Sequence, residues 1–366
     1  MIARSYSMKR RGIKVGEPIW EAKQKCPDGI YVKRDFHWYE SLSHKILHEL
    51  SIVSPCVEYY SIDEFFWRHE PERGRTLDET VIEIRDRIKS VVGIPMTTSI
   101  ARTRTLAKLF ADTQKPFGAV AVVDPDHEVQ LLAGIPVMEI AGIGRRRAAR
   151  LEPFGIRSCL DLRNASGLLI QQLLTVVGHD LWLELNGVPV QPIRPERSAH
   201  KNIARGGSLA GRVSDPVKLY GWLVRNVERL VEELNYHAVR PRLLSIHLAY
   251  VDGGAGFGQV RLPVPSDRFD VLLDAAKVAM RTAYRPGPAT HMHVVASHLA
   301  RPHAWQQSLF EPDDPRRETL ADVKRRINEQ FGRFRLRSGA TLFANEFYQD
   351  AANEYDICDV RGKFCF

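Results

Sequence analysis

Hydrophobic periodicity predicts an α+β chain of several domains. Three observations carry this. Helical and strand-like runs alternate from Tyr39 to about residue 114, short helices crowd Val137–Asn186, and residues 203–299 read β-α-β-β-α-β. At 366 residues the chain exceeds one ordinary core and suits roughly two to four domains.

Residues 1–45 combine a short extended start with a basic helix-like stretch. From Tyr39 to Leu50 the spacing of Leu42, Ile46, Leu47 and Leu50 is helical, and the run leads into an apolar, aromatic strand over Val57–Trp67. A helix is expected at 76–92, with Val81, Ile84, Ile88 and Val91 on one stripe. A β-branched strand at 94–101 and a helix to about 114 follow. In the short-helix region, Ala141-Gly142-Ile143-Gly144, then Leu151 and Gly155-Ile156, has the shape of a helix-hairpin-helix. Pro189, Pro192 and Pro195 make Gly187–Pro195 an extended linker.

Beyond it come a strand near Ile203–Leu209 and a helix turning Leu219, Leu223, Val227, Leu230, Val231 and Leu234 inward. Strands Leu243–Val251 and Gln259–Val264 flank the turn Asp252–Gly256; a helix over Asp267–Ala283 and a strand at His291–Leu299 complete the order. Residues 300–366 read as a tail with little core of its own. The expected segments are therefore 1–45, 46–136, 137–186, 187–202, 203–300 and 301–366.

Composition narrows the function classes. No apolar run approaches the roughly 20 residues that cross a bilayer, and the first residues lack the apolar block of a signal peptide. Five scattered cysteines without Cys-x-x-Cys spacing argue for reduced thiols in a cytoplasmic protein. The net charge is +8, with the excess in three clusters: 145–150, 194–212 and 316–337. A solvated face is the common origin of any one basic cluster, whereas three favour a polyanion partner.

Two features carry candidate chemistry. Asp63 and Glu64 sit within the aromatic run, where an ionised carboxylate forfeits several kcal/mol of hydration. A divalent cation offsets such a loss, although a tight turn facing water accounts equally for an isolated acid pair. Gly142 and Gly144 let backbone amides reach a phosphate at a helix N-terminus. A tight inter-helix turn explains them as well, and the adjacent Arg145, Arg146 and Arg147 favour the phosphate.

The phrase Ser61-Ile62-Asp63-Glu64-Phe65-Phe66 resembles the Ser-Ile-Asp-Glu-Ala palm motif of Y-family (translesion) DNA polymerases. That resemblance extends to about residue 300 and implies a right-hand polymerase with palm and fingers, a small helical thumb and a β-α-β-β-α-β little finger. It implies that Asp63 and Glu64 are the catalytic acids and ligands of Mg2+. Ser5-Tyr6-Ser7-Met8-Lys9 resembles the fingers motif, which implies that Tyr6 and Lys9 hold the triphosphate of a deoxynucleotide.

Thr98-Ser99-Ile100-Ala101, Leu106-Ala107-Lys108 and Lys115-Pro116-Phe117-Gly118 resemble further palm segments. Lys108 and Lys115, seven apart, would share a helix face; the resemblance gives Lys115 the triphosphate and leaves Lys108 to brace the acids. Gly142, Gly144, Arg145 and Arg146 in the thumb, with Lys201 and Arg205 in the little finger, are then expected on the duplex backbone of primer-template DNA. Ile13–Ile19 with Glu21-Ala22-Lys23 looks closer to the UmuC-like branch than to the DinB branch. Gln306-Gln307-Ser308-Leu309-Phe310 resembles a sliding-clamp-binding pentapeptide, with Gln306, Leu309 and Phe310 as its anchors.

The chain also departs from the pattern. Two-metal transfer draws carboxylates from more than one strand, and the family takes another Asp from a first strand preceding the fingers. This sequence starts inside the fingers motif, so about 40–50 residues are expected to be lacking, leaving a palm strand unpaired. Asp124-Pro125-Asp126 lies after the palm motifs and reads as a proline turn. Two functions follow: a translesion polymerase acting in DNA repair or an SOS-type response by two-metal nucleotidyl transfer, or a truncated, non-catalytic protein that binds DNA and the clamp.

Overall fold

The computed structural model describes residues 1–196, 199–301 and 315–344. Helices α1 (Tyr6–Arg10), α2 (Ile19–Lys25) and α3 (Phe36–Val53) precede an antiparallel hairpin of β1 (Val57–Ser61) and β2 (Glu64–Trp67). Then come α4 (Leu77–Val92), β3 (Thr98–Ala101), α5 (Arg104–Thr113), β4 (Ala119–Val122) and α6 (Pro125–Gly134), with β3 and β4 parallel. The two strand pairs form separate sheets.

Local rules account for α4. Thr76 and Glu79 close a capping box at its start, and Gly93 ends it at φ +83°. Its inward stripe is Val81, Ile84 and Ile88; Val91, expected on that stripe, is 58% exposed because Val92 takes the place against the core. The strand expected at 94–101 shortens to β3 alone.

Helices α7 (Arg145–Leu151), α8 (Cys159–Asn164) and α9 (Gly167–Leu185) follow. Their core is continuous with the preceding elements: Leu106, Phe110, Val122 and Leu132 join Ile143, Leu151, Ile170 and Leu185 in one buried cluster. The segment boundary expected at 136/137 thus falls inside a shared core. Smaller cores sit under α1–α2 (Ile13, Ala22, Cys26) and between α3, β1 and α4 (Ile46, Leu50, Val57, Ile84, Ile88).

The C-terminal domain comprises β5 (Asn202–Val213), α10 (Pro216–Tyr236), β6 (Arg240–Tyr250), β7 (Ala255–Arg261), α11 (Phe269–Ala283) and β8 (Ala289–Ala300). Its antiparallel sheet runs β5-β8-β6-β7, and the inward residues of α10 and α11 complete its core. Strands β5 and β8 approach closely at Gly206, where a Cβ would stand 2.0 Å from the Met292 carbonyl oxygen. Helix α12 (Pro315–Phe331) and a short turn of 3-10 helix, Gly339–Ala344, complete the described chain.

The region read as a tail shares the core of this domain. Ala340 packs on that core, Thr341 is fully buried, and Glu228 of α10 accepts from Lys324 Nζ and from the Ser338 N–H, each at 2.9 Å. Arg333 pairs with Glu232 at 2.7 Å, so part of the third basic cluster is neutralised by α10 rather than left for a polyanion.

Candidate active site

The acid pair sits at the tip of the β1–β2 hairpin. Ser61 faces Glu64 across a two-residue turn, Ile62-Asp63, so Asp63 lies in the turn rather than inside a strand as the aromatic run suggested, while Glu64 opens β2. Asp63 is exposed and accepts from the Ser61 hydroxyl at 2.9 Å. Its hydration is retained, and the desolvation expected for it does not arise. Glu64 is half-buried and ion-paired with Lys108 of α5. Lys108 thus answers Glu64 alone and leaves Asp63 to water.

Each face of the hairpin has its own support. Tyr59 and Phe65 turn toward α3, where Ser43 Oγ donates to the Ile62 carbonyl at 2.6 Å and the His44 ring stacks on Tyr59. The opposite face carries Glu58, Tyr60, Glu64 and Phe66, since strand side chains alternate. Two cations one turn apart on α5 cover it. Arg104 grips Glu58 through two hydrogen bonds of 2.8 and 3.1 Å, and its guanidinium lies 4.9 Å from the Tyr60 ring and 4.2 Å from that of Phe66.

Lys115 lies beyond the end of α5, so helical spacing does not place it on the face of Lys108. Its ammonium meets Asp112 at 2.6 Å. That hydrogen bond raises its pKa. Tyr6 opens α1 after its Ser5 cap and is 47% exposed; Lys9, three residues on, is also exposed.

Adjacent carboxylates suit Mg2+, which takes one or two carboxylates and completes its octahedron with water and phosphate oxygens, and the Lys108 ammonium holds the Glu64 carboxylate in its place. Among the described residues no group of three or more His, Cys, Asp or Glu could hold a metal by itself. The donor set thus fits an ion delivered with a polyphosphate rather than one caged by protein. Asp124 caps α6, accepting from the His127 N–H at 2.9 Å with Pro125 in the first turn, a helix start rather than a bare proline turn.

Of the expected DNA contacts, Arg145 and Arg146 are exposed at the start of α7, after Gly142 (φ +97°) and the cap Gly144. Arg147 is spent on the turn, donating to the Gly142 carbonyl at 2.8 Å. Lys201 is exposed. Arg205 is the exception: its side chain is 10% exposed and paired with Glu233 of α10, on the helix side of the sheet, so no free charge meets a phosphate there. Gln306, Leu309 and Phe310 lie outside the described residues. Sequence reasoning passed over Glu58, Arg104 and Glu184; alternation along Glu58–Tyr60 and the mid-chain Glu at the end of α9 were the available signals.

Comparison with known proteins now bears on this geometry. The impB/mucB/samB family matches residues 1–112, and the C-terminal domain of the same family matches residues 200–309. DNA polymerase IV 1 of Bacillus subtilis is 27% identical over 363 residues, covering 94% of this chain and 87% of that protein. DNA polymerase IV of Oceanobacillus iheyensis is 32% identical over 238 residues, 63% of this chain and 56% of that protein. A Y-family DNA polymerase chimera superposes with a TM-score of 0.68 at 21% identity, over 81% of this chain and 86% of that one, which establishes the right-hand fold of palm, fingers, thumb and little finger. With two matches to one family spanning more than half of the 366 residues, the chain belongs to the impB/mucB/samB family, and it carries the fold of a Y-family DNA polymerase around its Asp-Glu hairpin.

Proposed function

We propose that this chain copies primer-template DNA past damaged bases, using deoxynucleoside triphosphates and Mg2+, in the cytoplasmic response to DNA damage. The observation that carries the reading is the hairpin that presents Asp63 at an exposed tip beside Glu64, with the Lys108 ammonium of α5 on Glu64. When bound, the metal supplies a Lewis acid that lowers charge repulsion and favours the primer 3′-oxygen as nucleophile in two-metal nucleotidyl transfer. Asp63 and Glu64 hold it. Tyr6, Lys9 and Lys115 bind the triphosphate, and Lys108 keeps Glu64 neutralised until the substrate arrives. Gly142, Gly144, Arg145, Arg146 and Lys201 grip the duplex backbone without reading bases, which makes affinity fall with salt. Gln306, Leu309 and Phe310 recruit a sliding clamp. The UmuC-like branch rests on Ile13–Ile19 and Glu21–Lys23 alone, since the relatives named above are DNA polymerases IV.

Glu64 already answered by Lys108 favours a second reading, a DNA- and clamp-binding accessory that does not copy DNA. Primer extension with Mg2+ on an undamaged template separates the two. The polymerase reading expects extension that falls at least about a hundredfold in Asp63→Ala, the scale of losing a charge-stabilising group. Intact primer-template binding without extension establishes the accessory reading instead.

A further inference from the structure

The connection from α9 to β5 is held down at two places, each by a buried carboxylate. Glu184, in the last turn of α9, has no solvent exposure. Its Oε1 accepts from the N–H groups of Val190 and Gln191, each at 2.9 Å, and its Oε2 accepts from the Thr105 N–H at 2.9 Å. The Thr103 hydroxyl donates to the Glu184 carbonyl at 2.9 Å. A few residues along, Glu58 repeats the pattern. Its Oε2 accepts from the Arg194 N–H at 2.9 Å, while Arg104 pairs with it and reaches the Pro192 carbonyl at 3.5 Å. Arg104 and Thr105 are consecutive, so both anchors converge on the first turn of α5.

Buried carboxylates persist only when their lone pairs are satisfied. Here the linker itself supplies three of the donors, so lifting it away leaves Glu184 with the Thr105 N–H alone and costs Glu58 the Arg194 N–H beside Arg104. Neither anchor is required by the acids of the hairpin tip. We propose that Glu58 and Glu184 form a latch that seats residues 188–194 on the palm, and that Glu58 is a positioning residue coupling the catalytic hairpin to the placement of the little finger. Glu58 and Asp63 share that hairpin, so the strand that presents the acids also receives the linker.

The consequence for DNA rests on the functional reading above. Palm–thumb and little finger are two gripping modules on one duplex, and the second binds at an effective concentration set by the connection. A seated linker holds residues 188–194 in place and so positions the second module before DNA arrives.

Hydrogen–deuterium exchange of the full chain tests the latch directly. Glu58→Gln removes the ion pair, and Arg104→Lys removes the bidentate fork and serves as the second variant should the first not fold. Each is expected to speed exchange across 188–194 by about tenfold or more, with residues 137–186 and 243–299 unchanged. Unchanged exchange across 188–194 in both variants overturns the latch.

Primer-template affinity against duplex length tests the positioning. The wild type should tighten once the duplex reaches the little finger, and Glu58→Gln should lose about tenfold of that gain with short-duplex binding intact. Equal loss on short and long duplexes, or none on either, overturns the positioning role. A wild type that binds no primer-template defeats the functional reading, and the exchange result then judges the latch alone.

Discussion

Asp63 and Glu64 are neighbours in sequence and opposites in environment: one stands in water, the other is tied to a lysine. Environment at this scale often turns on a single atom. At Gly206 (φ +154°) the missing Cβ is what lets β5 lie against β8. Gly206→Ala is expected to destabilise the little finger by about 2–4 kcal/mol, from the clash with the Met292 carbonyl and the backbone strain together, read as a lowered urea midpoint. The acids were legible because a short motif carries them whatever surrounds it. Their position at a turn was legible only as one of two equal readings, since Ile62-Asp63 lacks the glycine or asparagine that usually announces a two-residue hairpin. Arg205 was misjudged for a different reason. Counting by two from Ile203 to Leu209 puts it on the inward side of β5, and charge alone had assigned it to the outside.

Among the elements, α10 shows how a helix spends its charges. Its inward stripe of Leu219, Leu223, Val227, Leu230 and Leu234 was readable from the 3.6 period and is buried. Its acids are committed to neighbours: Glu228 to α12, Glu232 to Arg333, and Glu233 to Arg205 and His237. Such pairings have no local signature, because the partners lie far apart in sequence. Burial pushes the Glu233 carboxyl up, but the bonds from His237 and Arg205 outweigh it and hold the group below its ordinary value of 4.5. A carboxyl depressed in the folded state contributes stability that is present above the unfolded value and lost as pH falls through the folded one. Thermal unfolding followed below pH 4.5 should therefore lose stability more steeply in the wild type than in Glu233→Gln. Parallel slopes would show that the pairing contributes nothing.

For the whole molecule, the order of domains was legible from changes of period, and the β-α-β-β-α-β domain matches its reading within a few residues at most ends. Where cores begin and end was not legible. The cluster joining α5 and β4 to α6–α9 depends on contacts that no window of sequence contains. The same holds for residues 315–344, whose few apolar side chains suggested little packing. Deleting them exposes the core around Ala340 and strips Glu228 of Lys324 and the Ser338 N–H. A chain ending at residue 301 is expected to lose about 3–5 kcal/mol in its little finger, the scale of a broken buried pair, seen by calorimetry as an earlier transition of that domain. An unchanged transition would mean that α12 merely rests on the surface.

Docking of α12 turns the chain back on the domain it has just left. Strand β8 ends at Ala300 inside the sheet, and α12 lies against the same domain through Lys324 and Glu228. A pull on α12 is therefore borne by the little finger, as by a bridle and not a trailing cord. Tension on that bridle reaches α10 directly through the Lys324–Glu228 pair.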